Sequence, residues 1–315
     1  MAFLNQIEER IRLKCSHIER NRIRDTEFIV GRTSATNDID IYLVLDSLEG
    51  KECVGHWLWE CSIYVQFFKE LQTIYPSIKI LMNGYKRYKE QFCELLGVDK
   101  KYLEYTSIID GYLPTYQGIT SYQELYYPCK DNYTIIVPEY TYLLYLHLKN
   151  TVLHNSYRKL FTEMNSMFPF TPNIEKTVPI IYMRRSLDTS ENYKNGTNHR
   201  KFNNLDTVIK FIQNKEIPIY DVKDFSNLKE QIEVVEKAKV IIVEHGSAWY
   251  INGILFSRGT HIIILNKLGI GCMDLEDELC KENGNTYEFI ESSSGPNNII
   301  INIQELNNAI ERRNL

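Results

Sequence analysis

No stretch of this 315-residue chain approaches the run of about 18 apolar residues that a membrane-spanning helix needs. Its first residues, MAFLNQIEERIRLKC, carry charges too early and too densely for the apolar core of a signal peptide. Basic character is missing as well. Thirty-six Lys and Arg stand against 41 Asp and Glu, for a formal charge of -5 and a pI of about 5.9. The footprint of a nucleic-acid binder is absent, and no nucleic-acid partner is expected. Seven cysteines are scattered with no CxxC pair and no metal-ligand spacing, which fits a reducing compartment. There is no GxGxxG fingerprint, which argues against NAD. Asp38-Ile39-Asp40 has DxD spacing, but it precedes a strand rather than following one and is expected in a surface turn.

What is present is a folded globular composition, 43% hydrophobic and 12% aromatic. The 22 tyrosines are many, and several cluster between Tyr102 and Tyr145. That cluster fits the lining of a groove, and equally half-buried core positions. The length suits two domains. In the first half, helical periodicity is expected over Asn5 to Ile29, Cys53 to Leu71, Tyr88 to Leu96 (closed by Gly97) and Tyr140 to Phe161. Strands are expected at Ile39 to Leu45, Ile78 to Leu81, Tyr102 to Ile109 and Tyr133 to Val137. Pro169, Pro172 and Pro179 bracket the linker, so residues 1–168 and 169–315 are the expected domains, the last helix packing back on the first. Strands at Val178 to Met183, Ile217 to Val222 and Tyr287 to Glu291 then alternate with helices at Asn204 to Gln213, Phe225 to Ala238 (with Ser226 as its expected cap and Glu230 one position beyond the usual box spacing) and Ile303 to Arg313. This βαβα spacing is the mark of a parallel sheet covered by helices.

The second half is organised around AKVIIVEHGSAWYINGILFSRGTHIIIL. Lys239 to Val243 is a β-branched run, expected as a buried parallel strand. It stops at Glu244-His245-Gly246-Ser247, and a helix is expected over Trp249 to Phe256 before the strand His261 to Leu265. Such turns lie at the carboxyl ends of strands, where α/β sheets bind ligands, and helix-start amides suit phosphate. An ordinary βα turn would have the same pattern.

The segment HGSAWYINGILFSRGTHIIIL resembles the HGAGL…N…F…PG region of the family 61 glycosyltransferases. Gly55-His56-Trp57-Leu58-Trp59-Glu60 resembles their GHWLxD/E helix, and IKILMNGYKRYKEQFCELLGV their following region. YMRRSLDTSENYKNGTNHRKFNNLDTVIKFI is similar to their arginine-containing stretch. The likeness runs in order from Asp46 to Leu265. It implies a GT-B-like α/β fold of two Rossmann-like domains facing across a cleft, in a soluble, cytoplasmic, bacterial or viral member. The implied activity is metal-independent, inverting transfer of a monosaccharide from a nucleotide sugar, UDP-xylose or UDP-N-acetylglucosamine being examples, to a glycan or glycoprotein hydroxyl. No cofactor is expected, and a homodimer stays open. The chain departs from the pattern at Ser247 and Trp249, where the family has small residues and leucine. It departs again at Leu265-Asn266, where the family often has an acidic residue. A catalytically degenerate relative that binds a glycan or partner is therefore the alternative, beside an epimerase-like enzyme without NAD.

The chemistry needs a base for the acceptor hydroxyl and donors for the departing diphosphate. His56 is the first candidate base, with Glu60 four residues on as its orienter or as the base itself. Arg185 and Arg200 are the candidate diphosphate clamps and Arg184 the adjacent alternative, since arginine presents a fixed fork of donors. The resemblance adds Asn203, which also fits a helix cap, and Gln231. It adds His245, Gly246 and Ser247 at the diphosphate or ribose, and Asn252 behind them.

Overall fold

The computed structural model describes residues 40–45, 54, 57, 58, 62, 65–73, 76–83, 85–106, 133–136, 161–171, 173–184, 202–265, 273–293 and 299–313. The chain divides into two compact units, Met1–Pro169 and Phe170–Leu315. Both are α/β, each on a parallel sheet. The helices expected over Asn5 to Ile29 and most of Tyr140 to Phe161 lie outside the described residues. Among the described residues no helix is long and apolar enough to cross a membrane.

The first unit contains β1 (Asp40–Val44), α1 (Val65–Gln72), β2 (Lys79–Asn83), α2 (Arg87–Leu95), β3 (Leu103–Thr106) and β4 (Tyr133–Ile136). Its sheet runs β3-β2-β1-β4, and every neighbouring pair is parallel. The single helix expected over Cys53 to Leu71 is interrupted. Residues 57 and 58 are helical, Ser62 lies in a 3-10 turn, and α1 starts at Val65. Ser62 Oγ donates to the Leu58 carbonyl at 2.6 Å, the kind of back-bonding that bends a helix. Trp57 is fully buried, and its indole Nε1 donates to the Leu45 carbonyl at 2.9 Å. Gly97 ends α2 as expected. Its φ of 79° is open to glycine at no steric cost, and its amide returns to the Glu94 carbonyl.

The second unit contains β5 (Val178–Arg184), α3 (Leu205–Asn214), β6 (Ile219–Asp221), α4 (Leu228–Glu236), β7 (Ala238–Glu244), a π-helix (Trp249–Leu255), β8 (His261–Leu265), α5 (Met273–Glu282), β9 (Thr286–Ile290), the short β10 (Ser292–Ser293) and β11 (Ile300–Ile301), and α6 (Ile303–Glu311). Its main sheet is β6-β5-β7-β8-β9, parallel throughout. Alternate residues of each strand face opposite sides. Ile180, Val240, Ile242, Ile263 and Leu265 join Val208 and Ile212 of α3 and Leu306 and Ile310 of α6 in one buried cluster. The other side also needs cover, so the strands read as unbroken aliphatic runs.

Two local expectations are corrected. The cap of α4 is Asn227, not Ser226: its side chain accepts from the Glu230 amide at 3.0 Å. The shift puts Glu230 at the third helical position, where its carboxylate takes the Ser226 amide at 2.8 Å. Asn203 does not cap α3 either. The cap position is Asn204, whose amide side chain is turned to Ile301, donating to its carbonyl at 2.9 Å and accepting from its N–H at 3.0 Å.

The start of the second unit is clamped at the amino ends of its strands. The Arg258 guanidinium lies 3.6 Å from the centre of the Phe170 ring, the Thr171 amide donates to Glu236, and Lys176 Nζ donates to Thr260 Oγ1 at 2.8 Å. Burial brings the Lys176 ammonium down to about 8.

Glu288 of β9 gathers Arg312, Arg313 and His261. Burial alone would raise its carboxyl. Hydrogen bonds from Arg313, Arg312 and His261 outweigh that and bring it down to about 2. A lowered carboxyl pKa adds stability that is complete above the ordinary value of 4.5 and is lost as pH falls towards 2. Glu288→Gln is therefore expected to destabilise by about 1 kcal/mol at pH 7, discounted for partial exposure. In urea unfolding of both proteins the difference should shrink as pH drops below 4.5. A constant difference from pH 7 to pH 3 would mean that packing, not charge, is responsible.

Candidate active site

In the second sheet the chain steps from β5 outward to β6, then crosses to the other side of β5 to lay down β7, β8 and β9. The order therefore reverses between β5 and β7. Open α/β sheets bind ligands in the crevice outside the carboxyl ends of two such strands. Here those ends are Arg184 on β5 and Glu244, followed by His245-Gly246-Ser247, on β7. The strand-turn-helix expected around residue 244 thus falls at the switch point.

The turn is tightly built. Glu244, His245 and Gly246 are buried and Ser247 is half-buried. The His245 amide donates to the Leu265 carbonyl at 3.1 Å, extending the β7–β8 pairing past Glu244. The His245 ring lies 6.0 Å from the Phe289 ring of β9. Gly246 has φ 112°, which a side chain would strain. Tyr250 then donates to the Gly246 carbonyl at 3.0 Å, so the amides of Ser247 and Ala248 come before the first helical bond. Amides in that position are what an anion meets at a helix start.

Trp249 to Phe256 is helical as expected, but the winding is π, and Phe256 donates to the carbonyl of Ile251, five residues back. Gly253 leaves room for the Trp249 indole. A Cβ there would lie 2.2 Å from Trp249 Cε3, so the indole fills the space that a side chain one turn on would take. π-helices are rare, and many occur at functional sites.

Several expected residues come together. Gln231 of α4 and Asn252 of the π-helix are each 1% exposed, and Gln231 Nε2 donates to Asn252 Oδ1 at 2.6 Å. Asn252 Nδ2 donates in turn to the Ala248 carbonyl at 3.1 Å. This pair fixes the start of the π-helix from behind. Arg184 ends β5 and meets Asp221, its register partner on β6, with Nη2 3.6 Å from Oδ2. Asn203 is exposed, and its amide donates to the Ile299 carbonyl at 2.8 Å. His56, Glu60, Arg185 and Arg200 lie outside the described residues. Trp57, next to His56, is held at the carboxyl end of β1 by its bond to Leu45. The first sheet reverses its order between β1 and β4, so this too is a switch-point strand.

Two residues escaped the sequence reading. Tyr182 of β5 is fully buried and donates to Glu244 Oε1 at 3.0 Å, bridging the two switch-point strands. Burial, then the Glu244 charge, push its phenol well above the ordinary 10.0, so it keeps its proton and stays a donor. One hydroxyl-bearing residue in VPIIYMR was the only signal. Glu276 in the first half of α5 is buried, which raises its carboxyl, while the polar groups of the nearby Tyr250 and Trp249 oppose the rise. Its helix was not expected from the sequence at all, so nothing could have flagged it.

The family model of glycosyltransferase 61 matches residues 54–263, from beside Trp57 through most of β8. The chain belongs to glycosyltransferase family 61. Membership implies glycosyl transfer, with a sugar donor and an acceptor as the reacting partners. No curated protein matches the chain. The match to this glycosyltransferase family takes in both the His56 segment of the first unit and the Glu244–Ser247 turn of the second.

Proposed function

We propose that this family 61 glycosyltransferase moves a monosaccharide from a nucleotide sugar, UDP-linked, to a hydroxyl of a glycan or glycoprotein, with inversion and without a catalytic metal. The observation that carries the reading is the Glu244–Ser247 turn at the switch point of the second sheet, within the segment matched by the family model. In the proposed step His56 removes the acceptor hydroxyl proton, with Glu60 orienting the imidazole. The oxygen attacks the anomeric carbon from the face opposite the nucleotide. The new C–O bond forms as the bond from carbon to diphosphate oxygen breaks, and the nucleoside diphosphate leaves with the electron pair. Arg185 and Arg200 meet the charge that develops there, and His245 with the Ser247 amide supplies hydrogen bonds. Gly246 lets the diphosphate approach the backbone. Asn203 adds a polar side chain on the Arg200 side. Arg184, engaged by Asp221, borders the crevice, while Gln231 and Asn252 support the turn.

The test is calorimetric titration with UDP, GDP, CDP and dTDP, each with and without Mg²⁺ or Mn²⁺. UDP is expected to bind regardless of metal. Arg200→Ala should weaken it by roughly 10- to 100-fold, the worth of charge-assisted hydrogen bonds. A folded protein that binds none of the four would overturn the proposal and favour a degenerate binding module.

A further inference from the structure

At the carboxyl edge of the first sheet, three side chains from three elements converge. Tyr85 follows β2 by two residues, Tyr105 is the penultimate residue of β3, and Glu90 is in the first turn of α2. Tyr85 is 57% exposed, the most exposed large hydrophobic among the described residues. Its ring meets that of Tyr105 edge to face, centroids 5.2 Å apart and planes at 80°. The Tyr105 hydroxyl donates to Glu90 Oε2 at 3.5 Å. An exposed aromatic buttressed by a second ring is held in one orientation at low entropic cost.

The chemistry on offer is specific. A ring face accepts the axial C–H bonds of a pyranose, which carry partial positive charge toward the π-cloud. A carboxylate at the rim accepts hydrogen bonds from neighbouring hydroxyls. β2 is also the hydrogen-bonded neighbour of β1, beside whose carboxyl end Trp57 donates to the Leu45 carbonyl. Adjacent strands are about 4.8 Å apart, roughly the width of one sugar ring.

We propose that Tyr85, Tyr105 and Glu90 form a saccharide platform that seats a pyranose of the acceptor, Tyr85 stacking on the ring and Glu90 taking its hydroxyls. This rests on the glycosyltransferase reading above for the word acceptor, but the binding can be measured without turnover. The full chain is mixed with the methyl β-glycosides of xylose, glucose, galactose and N-acetylglucosamine, and binding is followed by saturation-transfer NMR. UDP is titrated into the same preparations by calorimetry. At least one glycoside should show transfer to its ring protons. Tyr85→Ala should weaken that glycoside by roughly tenfold or more, Tyr85→Trp should retain it, and Glu90→Gln should weaken it less, all with UDP affinity unchanged. Wild-type protein that binds none of the glycosides, or Tyr85→Ala protein that binds as well as wild type, overturns the platform. Glycoside binding without UDP binding would count against the donor assignment and leave the platform standing.

Discussion

Replacing Gly253 by alanine is expected to destabilise the second unit by about 2 kcal/mol, even though alanine is the better helix former. The propensity gain is about 1 kcal/mol at most. Against it, the added methyl would sit 2.2 Å and 2.4 Å from Trp249 Cε3 and Cζ3, distances that carbon atoms do not share. Trp249 is fully buried between the sheet and its covering helices, with its ring 5.5 Å from that of Tyr287, so it has little room to retreat. Overpacking of this kind costs about 1–3 kcal/mol and more where the neighbour is rigid. Urea unfolding followed by circular dichroism would measure it. Pairing Gly253→Ala with Trp249→Leu should recover part of the loss relative to Trp249→Leu alone. If Gly253→Ala were as stable as wild type, the Trp249 indole would have room to move aside and the steric argument would fail.

His56→Ala is expected to lower kcat by about 10²- to 10⁴-fold while leaving UDP affinity within about twofold. The size follows from the role proposed for His56, since the work of a general base is done only in the transition state. Alanine removes the imidazole alone, and the Trp57–Leu45 hydrogen bond does not involve it. In the wild type, kcat/KM should rise with pH through the histidine range, because only neutral imidazole accepts the proton. Full transfer by His56→Ala with loss in Glu60→Gln would reassign the base to Glu60.

The parallel strands of the second unit were legible because burial on both faces leaves an unmistakable record: VIIV and IIIL admit few other structures. The turn after β7 could be found for the same reason, since Glu-His-Gly-Ser breaks an aliphatic run abruptly. The switch point itself was not readable. It depends on β7 lying beside β5 rather than beside β6, which is decided by long-range packing. The bond from Tyr182 to Glu244 joins residues 62 apart in sequence and has no local signature. α5 was missed because LEDELCKE has few apolar residues, and its buried face rests on Leu279, Cys280 and Glu276, the last an acid that periodicity counts as polar. The π-winding was invisible for a different reason. WYINGIL has acceptable α-helical spacing, and nothing local in it distinguishes the wider turn. Asn227 displaced Ser226 as cap of α4 because both are good caps and one residue of strand exit decides between them.

The tight construction of the Glu244–Ser247 turn bears on how binding would be driven. Ordering one backbone residue costs about 1–2 kcal/mol, and a loop that orders only on meeting its ligand subtracts that from the affinity for every residue involved. Here the cost has been met during folding, through the β7–β8 pairing, the Tyr182 phenol and the Gln231–Asn252 pair. An anion arriving at this turn would find its hydrogen-bond donors already fixed. Its calorimetric signature should therefore carry little conformational entropy loss from this segment, and hydrogen exchange along β7 should change little between free and bound protein.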